Sequence, residues 1–482
     1  MRTKRMGQKE RTKLGLLGLT AIVVGGIIGG GIFNISKVLA ERASLGAIMI
    51  SWVISGIGLL GIAMTFKTLN SVRPDLSSGI YMYAKTGFGK YTGFNIAWGY
   101  WIGSAIGNVV LSIMLNDAFG LFFPTLLEHG WPTVIFASCF SWFFTLLVSF
   151  GLKLATAINT ISTIIKFSSL ALIIVLLFSF AHYDMLHIDF WGKESHLGPL
   201  SEQINSNLLT TLFFFLGIEG AVIVASRARI QSDVGKATII GFLICLVLNF
   251  LVCILCFGFV NQAEIIKLND PAVAQILGKS IGDWARIFVN ISVIFSVAGA
   301  WLVSTIIAAE LPAYAAQDHV LPHFFAGRNK DGSPINALLI TACFIQVFVF
   351  LILLYKDIYV LFADMSGIMV IPTYVLSAMF LVKSALKKRI YNDHPATRQI
   401  AIIIGTIAAL YCLWVIYAGN VHLLLLSSVV YVIGILFYWI TQRKIMTKEE
   451  HLFSVTDRYV VGLLIAAMFF SLLLEWERQV VN

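Results

Sequence analysis

Two residues that are charged at neutral pH lie deep inside apolar stretches of the sequence. Lys166 stands within Ile161-Ser-Thr-Ile-Ile-Lys-Phe-Ser-Ser-Leu170, and Glu219 stands within Phe213-Phe-Phe-Leu-Gly-Ile-Glu-Gly220. A lysine at the centre of a membrane span costs about 2.5–3.5 kcal/mol, so Lys166 is expected to face the protein interior. A desolvated amine suits proton transfer. The Glu219 carboxylate suits either attraction of a cationic ligand or hydrogen bonding that holds a gate closed.

Glycine interrupts two of these apolar stretches at corresponding places. The segment Gly25-Gly-Ile-Ile-Gly-Gly-Gly31 contains five glycines, and Gly217 and Gly220 flank Glu219. Such a run either lets the backbone leave helical geometry or allows a close helix–helix contact. Paired breaks in two halves of a chain indicate a transporter's binding site at the bilayer midplane. Unwound turns expose N–H groups for a carboxylate and carbonyls for an ammonium, which together fit an α-amino acid.

Long apolar segments make up most of the chain. Hydrophobic residues account for 58% of 482 positions and charged residues for 12%, where soluble proteins carry about 25% charged residues. The composition predicts an all-α polytopic membrane protein and excludes soluble enzymes, nucleic-acid binders and disordered proteins. Stretches near the roughly 20 residues that cross a bilayer lie at 14–40, 45–66, 92–121, 132–150, 155–181, 206–226, 237–260, 284–316, 336–355, 358–382, 399–417, 421–441 and 458–475. We number them spans 1 to 13; the last is the shortest.

The basic residues are unevenly distributed among the loops. If the tail 1–13 is cytoplasmic, the inside segments hold 25 Lys and Arg and the outside segments hold 8. This excess predicts a multi-pass plasma (inner) membrane protein with a cytoplasmic N-terminus. The net charge of +9 is then a topology signal that needs no nucleic-acid partner. The first span is too long for a signal peptide and is expected to be retained.

Several motifs along the chain carry a family likeness. They are Gly29-Gly-Gly-Ile-Phe33, Ser78-Gly-Ile-Tyr81-Met-Tyr83, Trp98-Gly-Tyr-Trp101 with Ile106-Gly-Asn108, Phe215-Leu-Gly-Ile-Glu-Gly-Ala221, Asp233-Val-Gly-Lys-Ala-Thr238 and Ala309-Glu-Leu-Pro312. Together they resemble the amino acid–polyamine–organocation (APC) transporters over the whole chain. Within that superfamily the chain is most similar to the basic amino acid/polyamine antiporters, which exchange an amino acid for ornithine or for a decarboxylated amine.

The resemblance implies a five-plus-five inverted repeat with broken helices 1 and 6. Spans 1–5 at 14–181 and spans 6–10 at 206–385 form the repeats, and two or three extra spans occupy 399–482, which gives 12–13 in total. It also implies a substrate between spans 1, 3, 6, 8 and 10. The implied substrate-binding residues are Gly26, Ile27, Gly29, Gly30, Gly31, Ser104, Asn108, Phe213, Phe215, Gly217, Trp301 and Ser304. Lys166 takes the place of a sodium ion, and Tyr100 and Glu219 act in coupling or gating.

Two positions depart from the family pattern. Several basic antiporters carry tryptophan at the positions of Phe213 and Ser304, where the second indole stacks on a guanidinium. Phenylalanine and serine remove that platform, although Trp301 lies one helical turn away. The substrate is expected to be a cationic amino acid or one like histidine or tyrosine. It is exchanged for its metabolic product by a monomer or homodimer in the lipid bilayer, without a cofactor.

Other functions and sites have weaker support. A proton-coupled symporter or a uniporter of the same fold is the alternative, with Lys166 as its best support. A channel would need a continuous polar lining, which this sequence does not show. No nucleotide-binding glycine loop is present, which excludes ATP-driven transport by this chain alone. Asp117, Glu310 and Asp364 are expected to be solvated residues at span ends. Metal binding is the weaker interpretation of Cys253 with Cys256 and of the loop residues His182, Asp184, His187, Asp189 and His196. The basic stretch Lys383-Ser-Ala-Leu-Lys-Lys-Arg389 suits contact with anionic lipid headgroups.

Overall fold

The computed structural model describes residues 13–76, 79–181, 189–354, 358–387, 395–419, 421–443 and 452–481. These residues are helical apart from loops and one isolated bridge between Leu14 and Ala228. Eleven of the described helices are long and apolar enough to cross a membrane. They are Leu45–Val72, Lys90–Gly120, Trp131–Ser149, Leu152–Phe180, Ser232–Leu255, Asp283–Gln317, Ile335–Phe350, Ile358–Leu386, Pro395–Ala418, Val421–Arg443 and Val455–Val481, which are spans 2–5 and 7–13.

Spans 1 and 6 are the two predicted spans that the structure divides. Span 1 consists of Leu16–Ile27, a 3-10 turn at Gly31–Phe33 and the helix Ile35–Ala40. Span 6 consists of Leu200–Phe213, a non-helical stretch at 214–219, the short helix Gly220–Ile223 and a 3-10 turn at Ala225–Arg227. The glycine patterns therefore mark true breaks, as the first of the two interpretations predicted.

The two breaks contact each other through Gly26 and Gly217. Gly217 has a φ of +106°, and a Cβ on it would lie 2.8 Å from the carbonyl carbon of Gly26. A side chain at Gly217 would be strained by its conformation and would also collide with span 1. Glycine is required here because two backbones cross without space for a side chain.

The long spans pack around the broken pair. Span 1 contacts spans 5, 7 and 8, and span 3 packs against spans 8 and 10. Span 11 covers spans 2 and 10, and span 13 packs on span 12. The segment between spans 7 and 8 is partly helical and contains the helices Gln262–Ile266 and Ala272–Ile281. Further short helices lie at Ile80–Phe88, Pro124–Glu128 and His323–Ala326.

Candidate functional site

A cavity of about 130 Å³ lies at the two breaks, between spans 1, 3, 6, 8 and 10. One water molecule needs about 10–15 Å³ on the same scale, so the cavity has room for a small organic molecule. Its lining includes most of the residues that the sequence indicated, namely Gly26, Ile27, Gly29, Gly30, Gly31, Tyr100, Ser104, Phe213, Gly217, Glu219 and Ser304.

Several residues of the cavity lining were not predicted from the sequence. These residues are Ile32, Gly107, Val110, Leu111, Met114, Phe214, Leu216, Ala300, Ile307, Ser366 and Val370. Three of them on span 3 had a readable signal, because Gly107, Leu111 and Met114 follow Ser104 at intervals of three, four and three residues along one helical face. The two on span 10 had none, since only the packing of that span against span 3 brings Ser366 to the cavity.

Lys166 is fully buried beneath the break of span 1. Its amine donates to the carbonyl oxygens of Ile28 at 2.8 Å and of Gly25 at 3.3 Å, and to that of Ser296 on span 8 at 3.2 Å. The structure therefore places Lys166 in the interior, as its position in the sequence predicted. The ammonium satisfies carbonyls that span 1 releases where it stops being helical.

Glu219 lies in the break of span 6 and is 1% exposed. One carboxylate oxygen accepts a hydrogen bond from the Tyr100 hydroxyl, and the other accepts one from Tyr374 at 2.5 Å. Spans 3, 6 and 10 are joined through this one side chain. Tyr374 was not predicted from the sequence, because a tyrosine in an apolar span is common and its partner lies 155 residues away.

Asn108 supports a neighbouring residue and does not line the cavity. Its amide group donates to the Ser304 hydroxyl at 3.0 Å and to the Ser104 carbonyl at 2.7 Å. Its oxygen accepts from Thr305 at 3.3 Å. Asn108 is fully buried, so the side chain that lines the cavity here is Ser304, with its hydroxyl.

The expected substrate contacts of Trp301 and Phe215 are not supported by the structure. Trp301 is fully buried and packs against Phe140 and Phe144 of span 4, because its position on span 8 is turned away from Ser304. Phe215 is fully buried against Trp52 and Phe242. Neither ring lines the cavity, so Trp301 cannot replace the missing stacking platform in this conformation.

The expectation of a solvated Glu310 was wrong. Its side chain is 2% exposed and lies between two guanidinium groups, 3.1 Å from Arg227 and 2.9 Å from Arg328. Both arginines also donate to the Gly332 carbonyl, at 2.7 and 2.9 Å. Span 8 extends to Gln317, so Glu310 lies two turns before the helix end and is covered by the loops after spans 6 and 8.

The two other acids near span ends are less buried. Asp117 has a side chain that is 37% exposed and pairs with His129 at 2.8 Å. Asp364 is half-buried. These positions agree with the expectation of partly solvated residues.

The weaker metal candidates gain no support among the described residues. Cys253 and Cys256 are buried in apolar packing, and no group of three metal-ligating side chains is found in the described parts. In the loop before span 6, Asp189 accepts hydrogen bonds from the backbone of Lys193 and Ser195. His182, Asp184 and His187 lie outside the described residues, as do Ser78, Lys388 and Arg389.

Comparison with known proteins agrees with this architecture. Residues 14–440 match the family model described as amino acid permease. The arginine/agmatine antiporter of Chlamydia trachomatis serovar L2 is 37% identical over 465 residues, which is 95% of this chain and 96% of the relative. That of Chlamydia caviae is 37% identical over 475 residues, 96% of this chain and 98% of the relative.

A candidate amino-acid transporter of Clostridium perfringens is also 37% identical, over 470 residues that cover 95% of this chain and 98% of the relative. The matches extend over both helix breaks and the cavity that they enclose. The chain is therefore a transporter and not an enzyme, and it belongs to the amino acid permease family of the APC superfamily.

Proposed function

We propose that this protein exchanges an amino acid for its decarboxylated amine across the bacterial plasma membrane by alternating access. The observation that carries the proposal is the cavity at two facing helix breaks, with Gly26 against Gly217. The names of the chlamydial relatives supply the pairing of an amino acid with its amine. In this proposal the repeats at 14–181 and 206–385 move relative to each other, the N-terminus is cytoplasmic, and the working unit is a monomer or homodimer.

The two helix breaks supply backbone groups that can bind the α-carboxylate and the ammonium of an amino acid. The second half of span 1 begins with the 3-10 turn Gly31–Phe33 at the cavity wall. The first N–H groups of a helix have no partner within it, so they favour a carboxylate. The non-helical stretch 214–219 contributes Phe214, Leu216, Gly217 and Glu219 to the wall of the same cavity, and carbonyls outside a helix favour an ammonium. A decarboxylated amine keeps only the second of these contacts, which is the difference that an exchanger must tolerate.

The side-chain end of the cavity favours imidazole or phenol over guanidinium. Its polar groups are the hydroxyls of Ser104, Ser304 and Ser366 among apolar side chains. The lining acid, Glu219, already accepts from Tyr100 and Tyr374. No tryptophan among the described residues lines the cavity, so a guanidinium would lose its water without gaining an indole face or a free carboxylate.

Proton-coupled symport is the second candidate, and Lys166 favours it. Its amine donates to three carbonyls at the break of span 1 and on span 8. Loss of a proton would weaken these contacts and release the two spans from each other. The same lysine serves an exchanger as a fixed replacement for a sodium ion, so kinetics must separate the two functions.

Uptake into proteoliposomes separates exchange from symport. Liposomes are preloaded with histamine, tyramine, agmatine or ornithine and are given labelled histidine, tyrosine or arginine. Exchange requires an internal substrate, whereas symport proceeds into empty liposomes under an inward proton gradient. Uptake that needs only the gradient would refute the exchanger in favour of the symporter.

A tryptophan at position 304 tests the side-chain assignment. Ser304→Trp is expected to improve arginine relative to the native substrate by roughly thirtyfold, because a desolvated cation–π contact is worth about 2 kcal/mol. The conservative variant Ser304→Thr keeps the hydroxyl and serves as the control. A wild-type protein that strongly prefers arginine over histidine, tyrosine, lysine and ornithine would contradict the assignment.

A further inference from the structure

A second large groove lies on the membrane-facing surface, and it shares no residue with the substrate cavity. It runs between the short helix Ile80–Phe88, span 10 and span 11, and it has a volume of about 570 Å³. Its lining is Phe88, Met379, Val382, Lys383, Leu386, Lys387, Thr406, Ala409 and Leu410. The described lining is therefore apolar along the spans and basic at one end, with no acidic residue.

Close packing on both sides fixes the walls of this groove. A Cβ on Gly405 of span 11 would lie 2.7 Å from a methyl carbon of Val382 on span 10. A Cβ on Gly87 would lie 2.7 Å from the ring of Phe380. The helices are thus already in contact beside the groove and cannot close it by moving together. Exposed apolar side chains, including Leu386 and Leu410, line the opening.

Two lysines stand at the basic end of the groove. The Lys383 amine donates to the Gly87 carbonyl at 2.5 Å and lies 5.1 Å from the centroid of the Phe88 ring. An ammonium has three N–H donors, so this anchored amine retains donors for an anion. Lys387 follows one helical turn later and is exposed. The pair therefore offers one anchored and one exposed positive charge at the mouth of an apolar groove.

We propose that this groove binds one anionic phospholipid from the leaflet that faces the basic loops. The phosphate contacts Lys383 and Lys387, and an acyl chain lies along Met379, Leu386 and Leu410. From Lys387 to Met379 the groove follows eight residues of span 10, about 12 Å at 1.5 Å per residue. Basic pockets between spans at a membrane surface are typical sites for anionic headgroups. A soluble phosphate compound would leave the apolar walls unoccupied.

Native mass spectrometry of the full-length protein in detergent tests this proposal. Dioleoyl phosphatidylglycerol is titrated against dioleoyl phosphatidylcholine, and the fraction of protein with one retained lipid is measured. Each lysine near an anionic surface is worth about fivefold in binding. Lys387→Gln should therefore weaken retention of phosphatidylglycerol about fivefold, and Lys383→Gln with Lys387→Gln about twenty-fivefold. Retention of phosphatidylcholine should stay unchanged.

Matched variants make the result specific to the groove. Lys153→Gln removes an exposed lysine at the start of span 5, outside the groove, and should behave as wild type. Thr406→Trp fills the groove without changing charge and should weaken retention of phosphatidylglycerol, even if Lys383→Gln fails to fold. The proposal is overturned if Lys387→Gln and Thr406→Trp both bind phosphatidylglycerol like wild type. It is also overturned if Lys153→Gln lowers binding equally, or if glycerol 3-phosphate competes as well as the lipid.

Discussion

The amine of Lys166 lies 2.8 Å from the carbonyl oxygen of Ile28, at the residue where span 1 leaves helical geometry. Ile28 has an extended backbone with ψ of 96°, so its carbonyl is not committed to a following helical turn. A single cation on span 5 thus compensates for the break that shapes the cavity. The same amine reaches Ser296 on span 8, so it also joins the two halves of the chain.

Replacement of Lys166 should therefore impair transport more than folding. Lys166→Ala removes the donor that the carbonyls of Ile28, Gly25 and Ser296 share. The Ser296 hydroxyl still donates to the Gly29 carbonyl at 2.8 Å, so one contact between the break and span 8 remains. Exchange in proteoliposomes is expected to be lost or to lose its pH dependence. Lys153→Ala, at the exposed start of the same span, is the control. Transport rates of Lys166→Ala that match those of wild type at every pH between about pH 5 and pH 8 would show that the lysine is only structural.

The packing at the two breaks predicts different outcomes for three glycines. Gly217→Ala should abolish substrate binding, because a left-handed conformation costs about 1–2 kcal/mol for alanine and its Cβ would overlap Gly26. Gly29→Ala should bind normally, since the atoms nearest to its Cβ lie at 3.6 and 3.7 Å. Gly30→Val should also fail, because Met114 and Val297 lie 2.7 Å from its Cβ. Titration calorimetry in detergent measures the substrate affinity of all three variants. Equal affinities would contradict a substrate site at these breaks.

Glu219 and Tyr374 should act as a coupled pair in gating. A hydrogen bond to a charged group contributes about 1.5–3 kcal/mol. Tyr374→Phe should slow exchange with little change in apparent substrate affinity, since Tyr374 does not line the cavity. Glu219→Gln, at the cavity wall, should also slow exchange. A double-mutant cycle on the exchange rate should give a coupling energy of about that size. Strictly additive effects would mean that the hydrogen bond does not contribute to gating.

Glu310 and Asp117 provide a comparison of a buried and an exposed ion pair. Glu310→Ala leaves Arg227 and Arg328 without their shared carboxylate and should destabilise the protein by about 3–5 kcal/mol. Asp117→Ala removes a half-exposed pair and should cost about 1 kcal/mol or less. Thermal unfolding in detergent gives both values. A loss at Glu310 as small as that at Asp117 would mean that water reaches the two arginines.

The loop between spans 3 and 4 should give a weak pH dependence of stability. The hydrogen bond to Asp117 raises the pKa of His129 above its ordinary value of 6.5, although burial opposes this. A raised folded-state pKa stabilises the fold fully below about pH 6.5 and loses this effect as pH rises through the folded-state pKa. Wild type should therefore lose stability relative to His129→Gln on going from about pH 5.5 to about pH 8.5. An identical pH profile of the two proteins would show that His129 and Asp117 do not interact in solution.

The sequence by itself determined the membrane class, the spans and the position of the breaks. Apolar length identifies a span because the bilayer imposes a fixed thickness, whatever the neighbouring helices are. The glycines at 25–31 and at 217 indicated the breaks because the absence of a side chain frees the backbone at that residue, whatever its neighbours in space are. Lys166 was placed in the interior by the same reasoning, since a charge far from both ends of a span has no favourable position in lipid.

Tertiary structure decided which side chains meet. Trp301 and Ser304 are one turn apart, yet the packing of span 8 against span 4 turns the indole away and leaves the hydroxyl at the cavity. Tyr374 reaches Glu219, and Arg328 reaches Glu310, across distances in sequence that no local pattern encodes. The burial of Glu310 likewise depends on the loops that fold over it. Two arginines from separate loops lower the free-energy cost of burying its carboxylate, which would lie in water if only its position on the helix mattered.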